Sequence, residues 1–488
     1  MISLRNNVTA PSRREFLSRL GGGLGGVALS MLLEQDSLRA DGALMPTAVP
    51  DFVPWAGPHF RPRARRIIQL FMNGGASPMD TFDYKPELIR RHGQKFDPGD
   101  GRRVEAATSV PGTVLKSPFE WRQHGQCGRW VSSVFPHLAG CVDDLAFLMS
   151  MTSRTNVHGP GSYLMNTGSL LPGFPCLGTW VSYGLGRITD SLPSFVVLPD
   201  PKGLPYNQKG NFGSGFLPVG HQGTAFNMAG NEPIAHLRAA SGSPLATPAA
   251  EQEGRELLAS LNRRHLAMHE TDQRLAARIE AYELAARMQL SAPEAMNLED
   301  ETPATRKLYG MDEPVTADYG RRCLLARRLI ERGVRFVQVW SGTGGPTGNW
   351  DNHASIAREL PPIAAATDQP IAGLLRDLKA RGLLEDTLVL WNTEFGRMPF
   401  TQGSEGRDHN GGTFVGWMAG AGVRGGVAFG ESDAWAWQAG HGAVSTYDFH
   451  ATVLHLLGLN HTRLAVHHNG VSRRLTDVHG EVIHEVLA

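Results

Sequence analysis

Six short apolar runs, each closed off by turn-forming residues, punctuate the chain at positions 67–72, 145–149, 195–198, 334–340, 388–391 and 414–418. Runs of this length, with no alternating polar face, predict strands buried on both sides. Between them the pattern changes to an apolar stripe of helical period. The longest such stretch covers 251–290, rich in Ala, Leu, Arg and Glu, and shorter amphipathic helices are predicted at 371–381 and 448–457. Another short helix is predicted over 163–166, ending at Thr167-Gly168. Strands that alternate with helices imply an α/β fold, a mainly parallel central sheet with helices on both faces. Two excursions break that rhythm. A loop-rich region opens at Asp200-Pro201-Lys202-Gly203 and continues to Gly230, and 241–250 reads as a Ser/Pro/Ala linker, so cap insertions are expected near 200–250.

Residues 1–45 do not share this pattern. Ser12-Arg13-Arg14-Glu15-Phe16-Leu17 precedes an apolar, glycine-rich run over 20–33, followed by small residues that offer a cut near Ala40 or Ala43. Paired arginines before such a run predict a twin-arginine export signal; the other reading is a basic, amphipathic first helix. The run falls short of the roughly 20 residues that a membrane-spanning helix needs. The expectation is therefore an exported chain whose mature form has no stable membrane span and folds as a single domain over 60–485.

Composition narrows the partners. Lys plus Arg and Asp plus Glu both total 47, so there is no excess positive charge to bind nucleic acid along its phosphates. The 57 glycines and 31 prolines place function on turns and loops rather than in a helical bundle. The four cysteines, at 127, 141, 176 and 323, have neither metal-site spacing nor the density of a disulfide scaffold.

In open parallel sheets, sites lie beyond the carboxyl ends of the strands. After the run at 334–340, a glycine-rich loop ends in Trp350-Asp351-Asn352-His353, where residues two apart in an extended segment point the same way, so Asp351 and His353 can share a metal. After 388–391 come Asn392-Thr393-Glu394-Phe395-Gly396-Arg397, and then Arg407-Asp408-His409-Asn410. Together these connections supply three carboxylates and two imidazoles, a mixed nitrogen and oxygen set suited to zinc, manganese or iron. Taken singly, each residue also fits an ordinary loop, with Asp351 capping a helix from Ser355 and Glu394 paired to Arg397. Arg397 and Arg407 carry forks that match phosphate or sulfate oxygens, or structural carboxylates. Near the front, Asn73-Gly74-Gly75 invites close approach of a ligand to the backbone, and Asp80 or Asp83 is a metal ligand or a helix cap. His158-Gly159-Pro160-Gly161-Ser162 precedes a helix start, which favours an anion. His450 and His455, five apart, are expected to pack rather than to share a ligand.

Several of these segments in order resemble one bacterial family. Ile67-Ile68-Gln69-Leu70-Phe71-Met72-Asn73-Gly74-Gly75, residues 158–168 and 279–289, Trp350-Asp351-Asn352-His353, Glu394-Phe395-Gly396-Arg397 and Arg407-Asp408-His409 are similar to the domain-of-unknown-function family numbered 1501. That family in turn resembles the alkaline phosphatase and sulfatase superfamily, so the resemblance implies an alkaline phosphatase-like three-layer sandwich carrying metal above its sheet. Residues 383–396 look like the superfamily's strand and ligand turn, with Glu394 in place of an aspartate, and 445–459 resemble a late helix of the superfamily. The resemblance also implies metal ligation by Asp351, His353, Glu394 and His409; from its own place in the chain Asp80 is a further candidate, and the mixed donor set makes zinc or manganese the expected metal. Departures from the superfamily pattern bear on catalysis. His158 stands where a Cys, Ser or Thr nucleophile is expected, Ser162 where an Arg is expected, Phe395 replaces a metal histidine, and Asn73 replaces the first aspartate. Ser77 is a candidate hydroxyl nucleophile or a turn residue. The implied function is an exported metal-binding hydrolase of a small anionic ester, a phosphate or sulfate ester such as a sulfated or phosphorylated saccharide. In that reading Arg397 or Arg407 stabilises charge, and His158 or Asp408 moves a proton. The alternative is a non-catalytic binding or scaffold protein that retains the fold, and the missing nucleophile is its support.

Overall fold

The structure is a computed structural model that describes residues 57–229, except 100, 102 and 105, then 248–269, scattered positions between 275 and 288, and 293–488. The export segment at 1–45 and the linker at 241–247 lie outside the described residues. The chain divides into two compact units, one made of 48–189, 193–229 and 295–488, the other of 1–47, 190–192 and 230–294. The first half of the predicted cap, 200–229, thus belongs to the larger unit. In the smaller unit helix Pro248–Ala267 covers the first part of the predicted stretch, and the described positions 275, 279, 282–284, 287 and 288 are helical as well.

The larger unit is built on a nine-stranded sheet. Its strands are β1 (Arg66–Met72), β2 (Leu145–Thr152), β3 (Phe195–Leu198), β4 (Thr224–Ala225), β5 (Phe336–Ser341), β6 (Thr387–Asn392), β7 (Phe414–Ala419), β8 (Val427–Phe429) and β9 (Val444–Ser445). They lie in the order β8-β2-β7-β6-β1-β5-β3-β4, with β9 also paired to β2. The pairings are parallel except where β7 lies between β2 and β6. β7 reverses because the excursion after β6 returns to the same sheet edge without crossing the sheet. All six apolar runs are strands, and they are buried along nearly their whole length.

Alternation decides which side chains meet which layer. Ile67 and Phe71 of β1, Phe195 and Val197 of β3, and Leu388 and Leu390 of β6 join one core with Leu177, Trp180 and Val181 of helix Leu177–Leu185 and Phe449 and Val453 of helix Thr446–Leu456. Helices Ala317–Glu331 and Ile356–Ala380 pack on each other, and the first packs on β1 and β5. Two helices differ from expectation. Ile356–Ala380 runs 15 residues ahead of the predicted start at 371, through Pro361, Pro362 and Pro370, because Leu360, Ala364, Ile371, Leu374 and Leu378 bury one continuous face. The predicted helix at 163–166 is in fact His158–Thr167, so His158 opens the helix instead of preceding it; Gly168, at φ 70°, ends it.

Candidate metal centre

Three neighbouring parallel strands, β6, β1 and β5, end on the same edge in the middle of the sheet. Beyond β5 the chain loops out and is pinned back at Trp350, whose indole donates to Ser341 Oγ (3.0 Å) and whose backbone N–H donates to Asn73 O (3.0 Å). That return leaves no space over the end of β1. A Cβ on Gly74, which has φ +120°, would stand 2.6 Å from the backbone nitrogen of Asp351. Beyond β6, Thr393 Oγ1 donates to Met72 O (2.7 Å) and accepts from Ala76 N–H (3.1 Å), which sets Glu394 between the two strand ends. The chain then forms a hairpin, Gly396–Gln402 with Gly406–Asn410, that pairs His409 opposite Arg397 after a bulge. His158 arrives from the fourth side, as the first residue of its helix after β2.

The four side chains of His158, Asp351, His353 and His409 bring ligand atoms within 4.8 Å of one another. One oxygen is their focus. Asp351 Oδ1 lies 3.1 Å from His158 Nε2, 2.7 Å from His353 Nε2, 3.1 Å from His409 Nε2 and 2.6 Å from an Arg397 nitrogen. Each imidazole is held from behind by an oxygen at Nδ1: Glu394 Oε1 for His158 (2.6 Å), Asn156 O for His409 (2.8 Å) and Gln402 Oε1 for His353. An Nδ1–H donated to an oxygen leaves Nε2 as a bare lone pair, the tautomer that binds a metal. Beyond a 3.5 Å approach of Arg397 to His353 Nε2, two observations point to a missing positive charge at these lone pairs. His353 Nε2 and His409 Nε2 face each other at 2.8 Å, a contact that needs a proton or a cation between them. His158 Nε2 is buried without a hydrogen-bond partner, since Asp351 lies near it but out of line. Imidazole nitrogens from His353 and His409, with or without His158, and one carboxylate oxygen fit a zinc or manganese ion, unlike the all-oxygen sets of magnesium and calcium.

The electrostatics agree. Burial opposes the charge on Asp351, but the surrounding imidazoles of His158, His353 and His409 and the nearby Arg397 guanidinium outweigh it and hold the carboxyl far below its ordinary range. Burial also works against charge on His158, yet Asp351 and Glu394 raise its pKa, whereas His409 is lowered, first by burial. Tyr206, from the loop-rich region, stacks on His158 at 4.5 Å and 6°, and its hydroxyl is pushed up to about 12 by burial and by the charges of Asp351 and Glu394. Beside it opens a cleft of about 400 Å3 whose walls, among them Leu204, Tyr206, Asn207, Gln208 and Thr343, are uncharged.

Residues 64–487 match the family model described as a protein of unknown function, DUF1501. The chain belongs to that family. No curated protein matches the sequence. Among solved structures it is similar to the PsFucS1 sulfatase from Pseudoalteromonas sp., at 13% identity over 90% of this chain and 72% of that one, with a TM-score of 0.30. The phosphonate monoester hydrolase of Agrobacterium radiobacter aligns at 12% identity over 82% of this chain and 74% of the other, with a TM-score of 0.31. TAB5 alkaline phosphatase, with magnesium bound, aligns at 9% identity over 82% and 99%, with a TM-score of 0.32. Likenesses this weak say nothing of activity.

The other expected site residues of this DUF1501 protein are engaged elsewhere. Glu394, expected as a ligand, stands behind His158 and accepts from Gly74 N–H (2.9 Å), and it is outside the cluster of four. Asp80, also expected as a ligand, is fully buried against Arg407, which donates Nε–H at 2.6 Å and a second N–H at 3.2 Å, and it is not one of the four clustered residues. Arg407 gives two further donors to Leu115 O and Met398 O. Arg397 likewise donates to Gly74 O, Gly75 O, Arg407 O and Asp351. Asp408 accepts from Thr108 N–H and Oγ1, Ser109 Oγ and His409 N–H; these bonds outweigh burial and hold its carboxyl low, and they anchor a loop. Ser77 Oγ donates to Asp80 (2.6 Å) and Ser162 Oγ to Asn211 (2.8 Å). Asp83 sits with Ser432 and Lys85, where burial raises its pKa. His450 is a core residue bonded to Met165 O, its pKa lowered to about 4 by burial. Tyr206, Gln402 and Asn156 escaped the sequence reading because each acts from a loop at no recognisable spacing from its histidine.

Proposed function

We propose that this protein is an exported, metal-dependent hydrolase of a phosphate or sulfate ester, with the cation held by Asp351, His353 and His409. One observation carries the reading: imidazoles from separate connections, each fixed at Nδ1, turn their Nε2 atoms to a single carboxylate oxygen. A divalent zinc or manganese ion held there supplies Lewis acidity toward an ester oxygen. The chain's own residues do the rest. Arg397 fixes Asp351 while tying both glycines after β1 to the hairpin, and Tyr206 fixes the plane of the His158 ring. The uncharged cleft beside Tyr206 suits the alcohol part of a substrate, such as a sugar, with its amide groups from Asn207 and Gln208. The paired Arg13-Arg14 supports export, and among the described residues no helix is long and apolar enough to cross a membrane.

Purified full chain assayed on aryl phosphates, phosphate diesters and aryl sulfates tests the reading. Turnover is expected on at least one class, lost on chelation, restored by zinc or manganese and absent from His353→Ala. Turnover that survives both chelation and the substitution would reject it. Metal content without turnover on any ester favours instead a binding protein that retains the fold, a reading supported by the engagement of Ser77, Ser162 and Thr393 with protein groups. For export, the Arg13→Lys, Arg14→Lys double variant should remain in the cytoplasmic fraction; unchanged secretion would contradict the signal.

A further inference from the structure

Three hydroxyls near the strand ends are already engaged with protein groups, which makes them poor nucleophiles for a group-transfer reaction at this centre. Thr393 Oγ1 donates to Met72 O, Ser77 Oγ to Asp80 and Ser162 Oγ to Asn211. His158 differs from them. It is 92% buried by its 8% exposure, and its Nε2 faces the cluster without a hydrogen-bond partner. Its Nδ1 lies 2.6 Å from Glu394 Oε1, a carboxylate that is itself 1% exposed, and Tyr206 stacks on its ring within 6° of parallel. A buried carboxylate at Nδ1 fixes the tautomer with the Nε2 lone pair exposed and stabilises the positive charge that imidazole gains when that lone pair forms a bond. His158 also opens a ten-residue helix that no side chain caps, an end that favours negative charge.

We propose that His158 Nε2 is the nucleophile of a phosphate monoester reaction at this centre and carries the phosphoryl group as a phosphohistidine. The inference rests on the metal-dependent ester reading above and narrows it to phosphate monoesters. In the first step the Nε2 lone pair forms an N–P bond as the P–O bond to the alcohol breaks, and the departing alkoxide takes a proton from solvent. In the second a water oxygen bonds to phosphorus, the N–P electron pair returns to Nε2, and the water releases a proton to solvent, so the balance is ester plus water to alcohol plus phosphate. Glu394 keeps its proton partner, Nδ1–H, throughout and acts as a positioning residue. The cation needs only Asp351, His353 and His409 in this assignment, which separates it from one in which His158 is a fourth ligand.

Full-length protein mixed with p-nitrophenyl phosphate, quenched rapidly in alkali and analysed by intact mass and peptide mapping, tests the assignment. The expected result is one phosphoryl group per chain, stable in alkali, lost in acid and located on His158. His158→Asn should abolish it while retaining bound zinc, and Glu394→Gln should retain zinc but slow labelling by on the order of 10²–10⁴-fold. The assignment is overturned if the wild-type chain takes up no label, if label maps to another residue, or if His158→Asn loses zinc as completely as His353→Ala does. Label on His158 in a chain that binds no metal would uphold this inference while rejecting the metal reading.

Discussion

At the residue scale, the centre depends on what lies behind each imidazole as much as on the imidazole itself. Gln402 Oε1 accepts from His353 Nδ1 and thereby aims Nε2 at Asp351. Outer partners of this kind typically contribute 10–100-fold in affinity, so Gln402→Ala should weaken zinc binding by about that factor, measured by chelator competition. An unchanged affinity would mean that His353 is not a ligand. The spacing of Asp351 and His353 was legible in the sequence because an extended segment projects alternate residues to one side, and their side chains lie 2.7 Å apart. The place of Glu394 was not legible. A carboxylate at a strand end can coordinate a cation or hold a histidine that does so, and only the course of Gly74 and His158 around it separates the two.

At the scale of elements, the centre is assembled by close backbone contact. A Cβ on Gly406 would stand 1.5 Å from His353 O, so the second hairpin strand lies directly on the Asp351–His353 segment. Gly406→Ala should cost about 1–3 kcal/mol of stability through overpacking and should weaken zinc binding although Gly406 is no ligand. Thermal melting with and without zinc checks both effects, and a variant with wild-type melting and affinity would show that this contact does not position the ligands. The six strands were legible since each is an apolar run too long for a turn and too short for a helix. The hairpin that carries His409 was not, because Gly396–Gln402 and Gly406–Asn410 are buried by tertiary packing despite their polar and charged residues. The first half of helix Ile356–Ala380 was hidden by Pro361 and Pro362, local helix breakers overridden by one buried face.

At the scale of the whole molecule, the centre links stability to pH and to metal. Burial disfavours charge on His158, but Asp351 and Glu394 raise its pKa in the metal-free protein. That contribution to stability is fully present below the unfolded value of about 6.5 and is lost as pH rises through the raised folded value. A cation on Asp351, His353 and His409 competes with protons for the same negative charge, so the rise in melting temperature on adding zinc should grow from about pH 6 to about pH 8. A rise that shrinks with pH would place zinc at some other site. The α/β class could be read from alternating strand and helix signals, whereas the convergence of four distant segments on Asp351 could not, since no local pattern records which strand ends become neighbours.

The central claim is that Asp351, His353 and His409 jointly hold a cation, and calorimetric titration of zinc into chelator-stripped full chain tests it most directly. The account predicts uptake of a single equivalent, accompanied by proton release, and loss of that uptake in Asp351→Ala and in His353→Ala. Absence of uptake by the wild-type chain, or uptake unchanged in both variants, would contradict it.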